Sequence, residues 1–475
     1  MEVEELTAVR PSYRQVEWQK LAFYGFIHFG ITTMMNREWG NGSESLTVFD
    51  PQALDCQAWV ALFKRSGMKG VILTCKHHDG FCLWPSNYSQ QTVAHTPWRE
   101  GKGDLVKELS EACHEAGLAF GIYLSPWDQH APSYGTGQAY DEVYVGQLTE
   151  LLTQYGEITE VWLDGANGEG PNGKRQFYDW QRYYRQIRQL QPNAVIAVCG
   201  PDVRWIGNEA GHTRENEWSV VPRELLDAEK TAKKSQQTDT TAFRKTMTST
   251  EADLGSRFAL AKYTSRKELA WYPAEVNLSI RPGWFYHPEE DDQVKSAETL
   301  FSLYRRTVGG NATFLLNVPP MPDGRIHPKD QQSLTQLGQY LKPLQEDLPQ
   351  YQGYLKASSQ NADWDQDCLQ QLAGESYWQP AASDREPWLT LTFPQPTRIN
   401  TVILQEEIRK SQRVERAVLY YEKADKDCFL AEIGTVGHQK IIDVADITTK
   451  RLKIVFLAYR QYPTIKKFYV RYLEK

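Results

Sequence analysis

The chain has 475 residues, a formal net charge of −7 and 24% charged residues, which is enough length for two or three domains around a large core. An acidic balance argues against nucleic acid or an anionic membrane as partner, because binders of either carry a basic face. No window approaches 18 consecutive apolar residues, and the seven scattered cysteines, with no CxxC pair and no zinc spacing, read as reduced and mostly buried thiols.

The acidic start, Met1-Glu2-Val3-Glu4-Glu5, has no basic or apolar leader region, so the sequence as written predicts a cytoplasmic protein, or an exported one had a leader been removed. From about residue 20 to 345, apolar runs alternate with amphipathic helical patterns, the texture of a βα-repeat fold. Strands are expected at Ala22 to Phe29, Gly70 to Cys75, Ala119 to Leu124, Thr159 to Asp164, Ala194 to Val198, Ala274 to Ser279 and Ala312 to Val318. Asp50-Pro51 opens a helical pattern that stops at Gly67, and Asp104 and Gly117 bracket a second. Phe177, Trp180, Tyr184, Ile187 and Leu190 stripe a third.

The polar and aromatic residues gather at the strand ends, which predicts a (β/α)8-like TIM barrel with its site at the C-terminal rim. A doubly wound sheet is the rival architecture, but no GxGxxG follows any of these strands. After residue 348 the texture changes to short alternating runs: Trp388 to Phe393, Ile399 to Gln405, Val414 to Glu422, Lys440 to Val444, Arg451 to Leu457 and Lys466 to Leu473. These fit an antiparallel β-sandwich of roughly 100 residues. The division expected is a barrel over 1–348 and, over 349–475, a sandwich of the carbohydrate-binding-module kind, there to bind sugar or, the reading put first, to brace the barrel.

Four rim segments carry chemistry. In Glu160-Val161-Trp162-Leu163-Asp164-Gly165 an apolar run ends in one carboxylate, and Trp162 and Asp164, two apart on a strand, share a face. An aromatic plane beside a carboxylate suits a pyranose, whose apolar face the ring covers while the acid meets the charge that develops at the anomeric carbon. The competing structural role for Asp164 is to cap the next helix. His28-Phe29-Gly30 and Glu38-Trp39 offer groups that grip hydroxyls and stack on a ring, and Tyr123 ends the third strand. His77 and His78 in Lys76-His77-His78-Asp79-Gly80-Phe81 are adjacent and would face opposite ways on a regular strand. Both can meet one polyol only through a bulge or strained peptide there, and chelation of one metal ion would need the same distortion. A second carboxyl is required as general acid. Glu209, Glu215, Glu217 and Glu275 all qualify, and spacing does not separate them.

Together, His28-Phe29-Gly30, Glu38-Trp39, the HHDGF run at His77, Tyr123 and the WLDG run ending in Asp164-Gly165 resemble the α-L-fucosidases of glycoside hydrolase family 29. The match runs in order through residues 20 to 320. The resemblance implies a retaining hydrolase with Asp164 as nucleophile. His28, Glu38, Trp39, His77, His78, Tyr123 and Trp162 would line a fucose pocket, with no metal or organic cofactor. The segment Arg204 to Gly211 and the run Pro282-Gly283-Trp284-Phe285-Tyr286 are similar to the subgroup acting on α-1,3/4-linked fucose of Lewis-type glycans. That likeness selects Glu209 as acid/base and sets Trp284 against the C5 methyl of fucose. The implied partner is a fucosylated oligosaccharide or glycoconjugate, taken up before cleavage. A broad-specificity fucosidase and a non-catalytic fucose-binding protein are the alternatives.

Overall fold

The computed structural model of the chain describes residues 2–235, 252–361, 364, 365 and 367–474. Eight parallel strands form one sheet: β1 (Phe23–Ile27), β2 (Gly70–Lys76), β3 (Ala119–Leu124), β4 (Glu160–Leu163), β5 (Val195–Val198), β6 (Arg204–Trp205), β7 (Ala274–Ser279) and β8 (Ala312–Asn317). Their order is β5-β4-β3-β2-β1-β8-β7-β6, so neighbours along the chain are neighbours in the sheet. A single parallel bridge, Ala197 to Val203, joins the two ends. The expected barrel is present and nearly closed.

The barrel strand absent from those expected from sequence is β6. Two residues cannot display a period. No helix separates it from β5; instead Val198 enters the left-handed region (φ 64), which a β-branched residue rarely visits. The turn is held by Asp202, whose carboxylate accepts the Ile196 N–H at 2.8 Å, and by the Tyr272 hydroxyl, which donates to the Gly200 carbonyl at 2.8 Å.

The helix Leu105–Ala116 has the caps its sequence predicts. Asp104 accepts the Lys107 N–H at 2.9 Å, and Gly117 ends the helix with φ 71. The first crossover helix starts later than expected, at Cys56, where Asp55 rather than Asp50 is the cap and accepts the Ala58 N–H at 3.0 Å. Phe177 lies outside the helix Trp180–Leu190 and is 77% exposed.

Because side chains alternate along a strand, three strands each deliver an inward column. These columns are Tyr24-Phe26-His28, Glu160-Trp162-Asp164 and Glu275-Asn277-Ser279. The lower members bond to one another inside the barrel, and the upper ones reach the rim.

The C-terminal strands are β9 (Tyr354–Ala357), β10 (Trp388–Glu406), β11 (Val414–Lys423), β12 (Lys426–Ile433), β13 (Lys440–Tyr459) and β14 (Ile465–Arg471), ordered β9-β10-β13-β11-β12 with β14 against β10. Four of the short runs expected from sequence are halves of the long strands β10 and β13, whose pairing shifts register between Thr392 and Thr397. Leu389 and Leu391 from one half of β10 share a core with Val402 and Leu404 from the other. The sheet therefore folds over itself into the expected sandwich. Strands β9 and β12 were not anticipated.

This sandwich is bonded to the barrel. Asn311 is the pin: its backbone is left-handed (φ 66), its side-chain amide donates to the Glu217 carbonyl at 2.8 Å, and its carbonyl accepts the His438 N–H at 2.7 Å. Gln412 accepts the Ser219 N–H at 2.8 Å, and Arg471 donates to the carbonyls of Pro343 and Glu346, each at 2.6 Å. Replacing Asn311 with Ala loses the side-chain bonds, at ~1 kcal/mol each, and leaves Ala in a conformation that adds ~1 kcal/mol. A stability loss of about 3 kcal/mol is expected in urea unfolding, and Asn311→Gly should lose less because its backbone is at ease there.

Candidate active site

The C-terminal rim of the barrel encloses a cavity of about 260 Å³. Of the residues singled out from sequence, it collects His28, Trp39, His77, His78, Tyr123, Trp162, Asp164, Glu209 and Trp284. Asp164 lies just beyond the end of β4 with its side chain 21% exposed. One carboxylate oxygen accepts the Tyr123 hydroxyl at 2.9 Å and the other accepts the Ala166 N–H at 2.8 Å. Burial and the facing carboxylate push the Tyr123 phenol well above its ordinary pKa, so it stays a donor. Gly165 is needed for room: a Cβ there would meet Ser235 Oγ at 2.3 Å and Ala232 Cα at 2.7 Å.

The paired histidines reach one cavity as the sequence required, through an irregularity. β2 shifts register against β3 between Thr74 and Lys76, and the two rings lie 4.0 Å apart between centroids, 34° from parallel. Below them Lys76 is fully buried, donating to Asp128 at 2.8 Å and Gln147 at 2.9 Å. Burial would raise the Asp128 carboxyl, but Lys76 and the N–H groups of Ala131 and His130 hold it below its usual value.

Hydrogen-bond direction fixes two tautomers. Ser125 donates its one proton to the Trp127 carbonyl at 2.7 Å, so it accepts from His78 Nδ1 at 2.7 Å and leaves Nε2 as that ring's acceptor, 4.0 Å from Asp164. Burial holds His78 below its usual pKa, with Asp164 opposing and Lys76 assisting. Asn317 donates to the Trp284 carbonyl and to Ser279, so its own carbonyl faces His28 and accepts from Nδ1 at 2.8 Å. His77 is held well below the usual range by burial and its two histidine neighbours, and its Nδ1 is buried with no partner among the described residues.

Aromatic rings form the walls. Trp162 stacks on Tyr123 at 5.4 Å and 29°, Trp39 meets His78 and Trp127 edge to face at 5.5 Å each, and Trp284 lies against His28 at 5.1 Å. Glu38, expected in the pocket, is not among the cavity-lining residues. Its two carboxylate oxygens accept the backbone N–H groups of Trp284 at 2.5 Å and Phe285 at 3.0 Å, which holds the loop that carries Trp284.

The four candidate acids separate clearly. Glu209 lines the cavity, on a loop that is stapled: Asn208 accepts the N–H groups of Ala210 at 3.1 Å and His212 at 3.0 Å. Glu217 is buried between Arg204 and Arg214, Glu215 is exposed and is not among the cavity-lining residues, and Glu275 is buried in the barrel interior. Sequence reasoning missed Asn277, Asn167, Arg175 and Ser235, which also line the cavity. Asn277, which accepts the Trp205 indole N–H at 2.9 Å, was legible as one of alternating polar residues in a buried strand. Among the described residues, no group of three His, Cys, Asp or Glu side chains converges as metal ligands.

A barrel rim carrying two carboxylates and a ring of aromatics defines a sugar-cleaving enzyme of the (β/α)8 class. The α-L-fucosidase family model matches residues 8–346, and the F5/8 type C domain model matches 354–467. The chain is 37% identical to α-L-fucosidase 1 of Arabidopsis thaliana over 466 residues, covering 96% of this chain and 86% of that protein. It also resembles the structure of a putative α-L-fucosidase from Bacteroides ovatus (TM-score 0.85, 38% identity, 100% of this chain and 76% of that one). A third relative is a Ruminococcus gnavus GH29 fucosidase in complex with fucose (TM-score 0.82, 26% identity, 98% and 95% covered). The chain belongs to the α-L-fucosidases of glycoside hydrolase family 29.

Glutamine at position 38 would offer one acceptor to two backbone donors. Glu38→Gln is therefore expected to lose about 1–3 kcal/mol in denaturant unfolding and to raise KM as Trp284 loosens.

Proposed function

We propose that the protein is a retaining exo-α-L-fucosidase that removes terminal α-1,3/4-linked L-fucose from Lewis-type glycans. One observation carries the reading: among the described residues, Asp164 and Glu209 are the carboxyl side chains that line the cavity. Asp164, anchored by Tyr123 and the Ala166 N–H, attacks the anomeric carbon while Glu209 gives its proton to the departing glycosidic oxygen. The carbon–oxygen bond to the aglycone breaks and an ester to Asp164 forms. Glu209, now a base, takes a proton from water as the water's oxygen displaces Asp164, and fucose leaves with its configuration retained.

The His78 imidazole, kept neutral by burial, suits a neutral sugar, since its Nδ1 is committed to Ser125 and its acceptor nitrogen is left for a hydroxyl. The fucose bound in the similar R. gnavus enzyme supports fucose as the sugar. The linkage preference rests on the likeness of the segments Arg204 to Gly211 and Pro282 to Tyr286, whose Trp205, Glu209 and Trp284 line the cavity.

Fucose release from a Lewis-type trisaccharide and from 2′-fucosyllactose tests the linkage: release from the trisaccharide alone is expected, and release from both would make the enzyme broad in specificity. Asp164→Asn should lose about 1,000-fold or more of kcat while staying folded, and NMR should show the α anomer appearing first. Loss of the general acid in Glu209→Ala should cost about 10²–10⁴-fold on glycans. Aryl fucosides should lose less, and azide should restore turnover. Equal losses on both substrates without an azide effect would take the acid/base role away from Glu209.

A further inference from the structure

Beneath the cavity floor lies a buried carboxyl pair that the mechanism does not use. Glu275 on β7 and Glu160 on β4 are both buried at the lower level of the inward columns, in contact with each other. Two touching carboxyls in a dry interior cannot both ionise, so one holds a proton. The donors decide which. Glu275 accepts the Trp162 indole N–H at 2.8 Å through one oxygen and the Tyr24 hydroxyl through the other.

Glu160 accepts the Trp18 indole N–H at 2.7 Å and shares the Tyr24 hydroxyl with Glu275, and its other oxygen has no donor among the described residues. That orphan is resolved if Glu160 carries the proton and gives it to Glu275. Burial raises both carboxyls; Glu275 facing it raises Glu160 further, against the bonds from Trp18 and Tyr24, while the bonds from Glu160, Tyr24 and Trp162 offset part of the rise at Glu275, which stays above its ordinary value. With the Trp162 and Tyr24 donors both turned on Glu275 and the Glu160 proton given to it, the charge of the singly protonated pair sits on Glu275. It reaches the cavity through Trp162, the ring stacked on the Tyr123 phenol that holds Asp164.

We propose that Glu275 is a positioning residue for the fucosidase reaction: its carboxylate clamps the Trp162 indole beneath the cavity and keeps a negative charge behind the ring on which the reacting sugar rests. Two consequences make this more than a packing role. The clamp fixes the ring plane that orients Tyr123, and with it Asp164. The charge enriches the ring face just where positive charge develops at the anomeric carbon, so it acts in the transition state more than on bound fucose. The proposal rests on the sugar lying over Trp162, and Asp164→Asn tests that reading separately: an active Asp164→Asn would sink the reading before Glu275 is considered.

The experiment compares Glu275→Gln, Glu160→Gln and Trp162→Phe with the parent, measuring kcat on an aryl fucoside and the inhibition constant of free fucose. Glu275→Gln is expected to lose about 10- to 100-fold in kcat with the fucose constant changed less than about threefold. Glu160→Gln, whose amide gives Glu275 the same hydrogen bond, should keep kcat within about threefold. Trp162→Phe keeps a ring without the N–H and should reproduce the Glu275→Gln split; it carries the test alone if Glu275→Gln fails to fold. Parental kcat in Glu275→Gln or in Trp162→Phe overturns the proposal. So do equal losses in the Glu275 and Glu160 variants, which would make the pair a structural unit, and a fucose constant that weakens in step with kcat.

Discussion

The site depends on one buried charge being answered. Lys76 ends β2 with its ammonium out of water, and an unpaired ammonium there would cost several kcal/mol. Asp128 and Gln147 answer it. Asp128 comes from the loop after β3, so pairing draws that loop across the end of β2 and brings Ser125 and Trp127 against the histidines. His78 takes its tautomer from Ser125 and its ring contact from Trp127. The next strand supplies Tyr123 and the one after it Asp164, so an ion pair that touches no substrate sets the relative placement of three strand ends.

The sandwich acts on the opposite wall. The segment that carries Glu209 runs from the short strand β6 to Glu217, whose side chain is held by two arginines and whose carbonyl is held by Asn311 and Gln412. Gln412 belongs to the C-terminal domain and Asn311 sits at the seam. The general-acid candidate therefore stands on a loop whose far end is moored to another domain, and Asn208 closes the near end. Rigidity there follows from bonding, although glycines flank the loop.

Much of the fold was legible because burial imposes periodicity. The columns Tyr24-Phe26-His28 and Glu160-Trp162-Asp164 are visible in the chain as alternation, and Asp104 with Gly117 brackets a helix by local chemistry alone. β6 was not legible, since two residues have no period, nor were the bends of β10 and β13, where a bulge reads as a strand end. The first crossover helix went to Asp50 in place of Asp55 because both are acids before an apolar stripe, and only the fold selects between them.

By itself the sequence determined the class of chain, the strand ends that carry the chemistry and the requirement that His77 and His78 need a distorted backbone to work together, since these follow from residue type and local spacing. Spacing left the glutamates unseparated and only a likeness pointed to Glu209; the tertiary structure shows which of them faces the cavity. Glu209, Glu217 and Glu275 are alike in one dimension, but one opens on the site, one is neutralised by arginines and one is buried behind Trp162. It likewise turned Glu38 toward the Trp284 loop. The reason is common to these cases: a carboxylate's role is set by the donors that surround it, and those donors come from strands and loops distant in the chain.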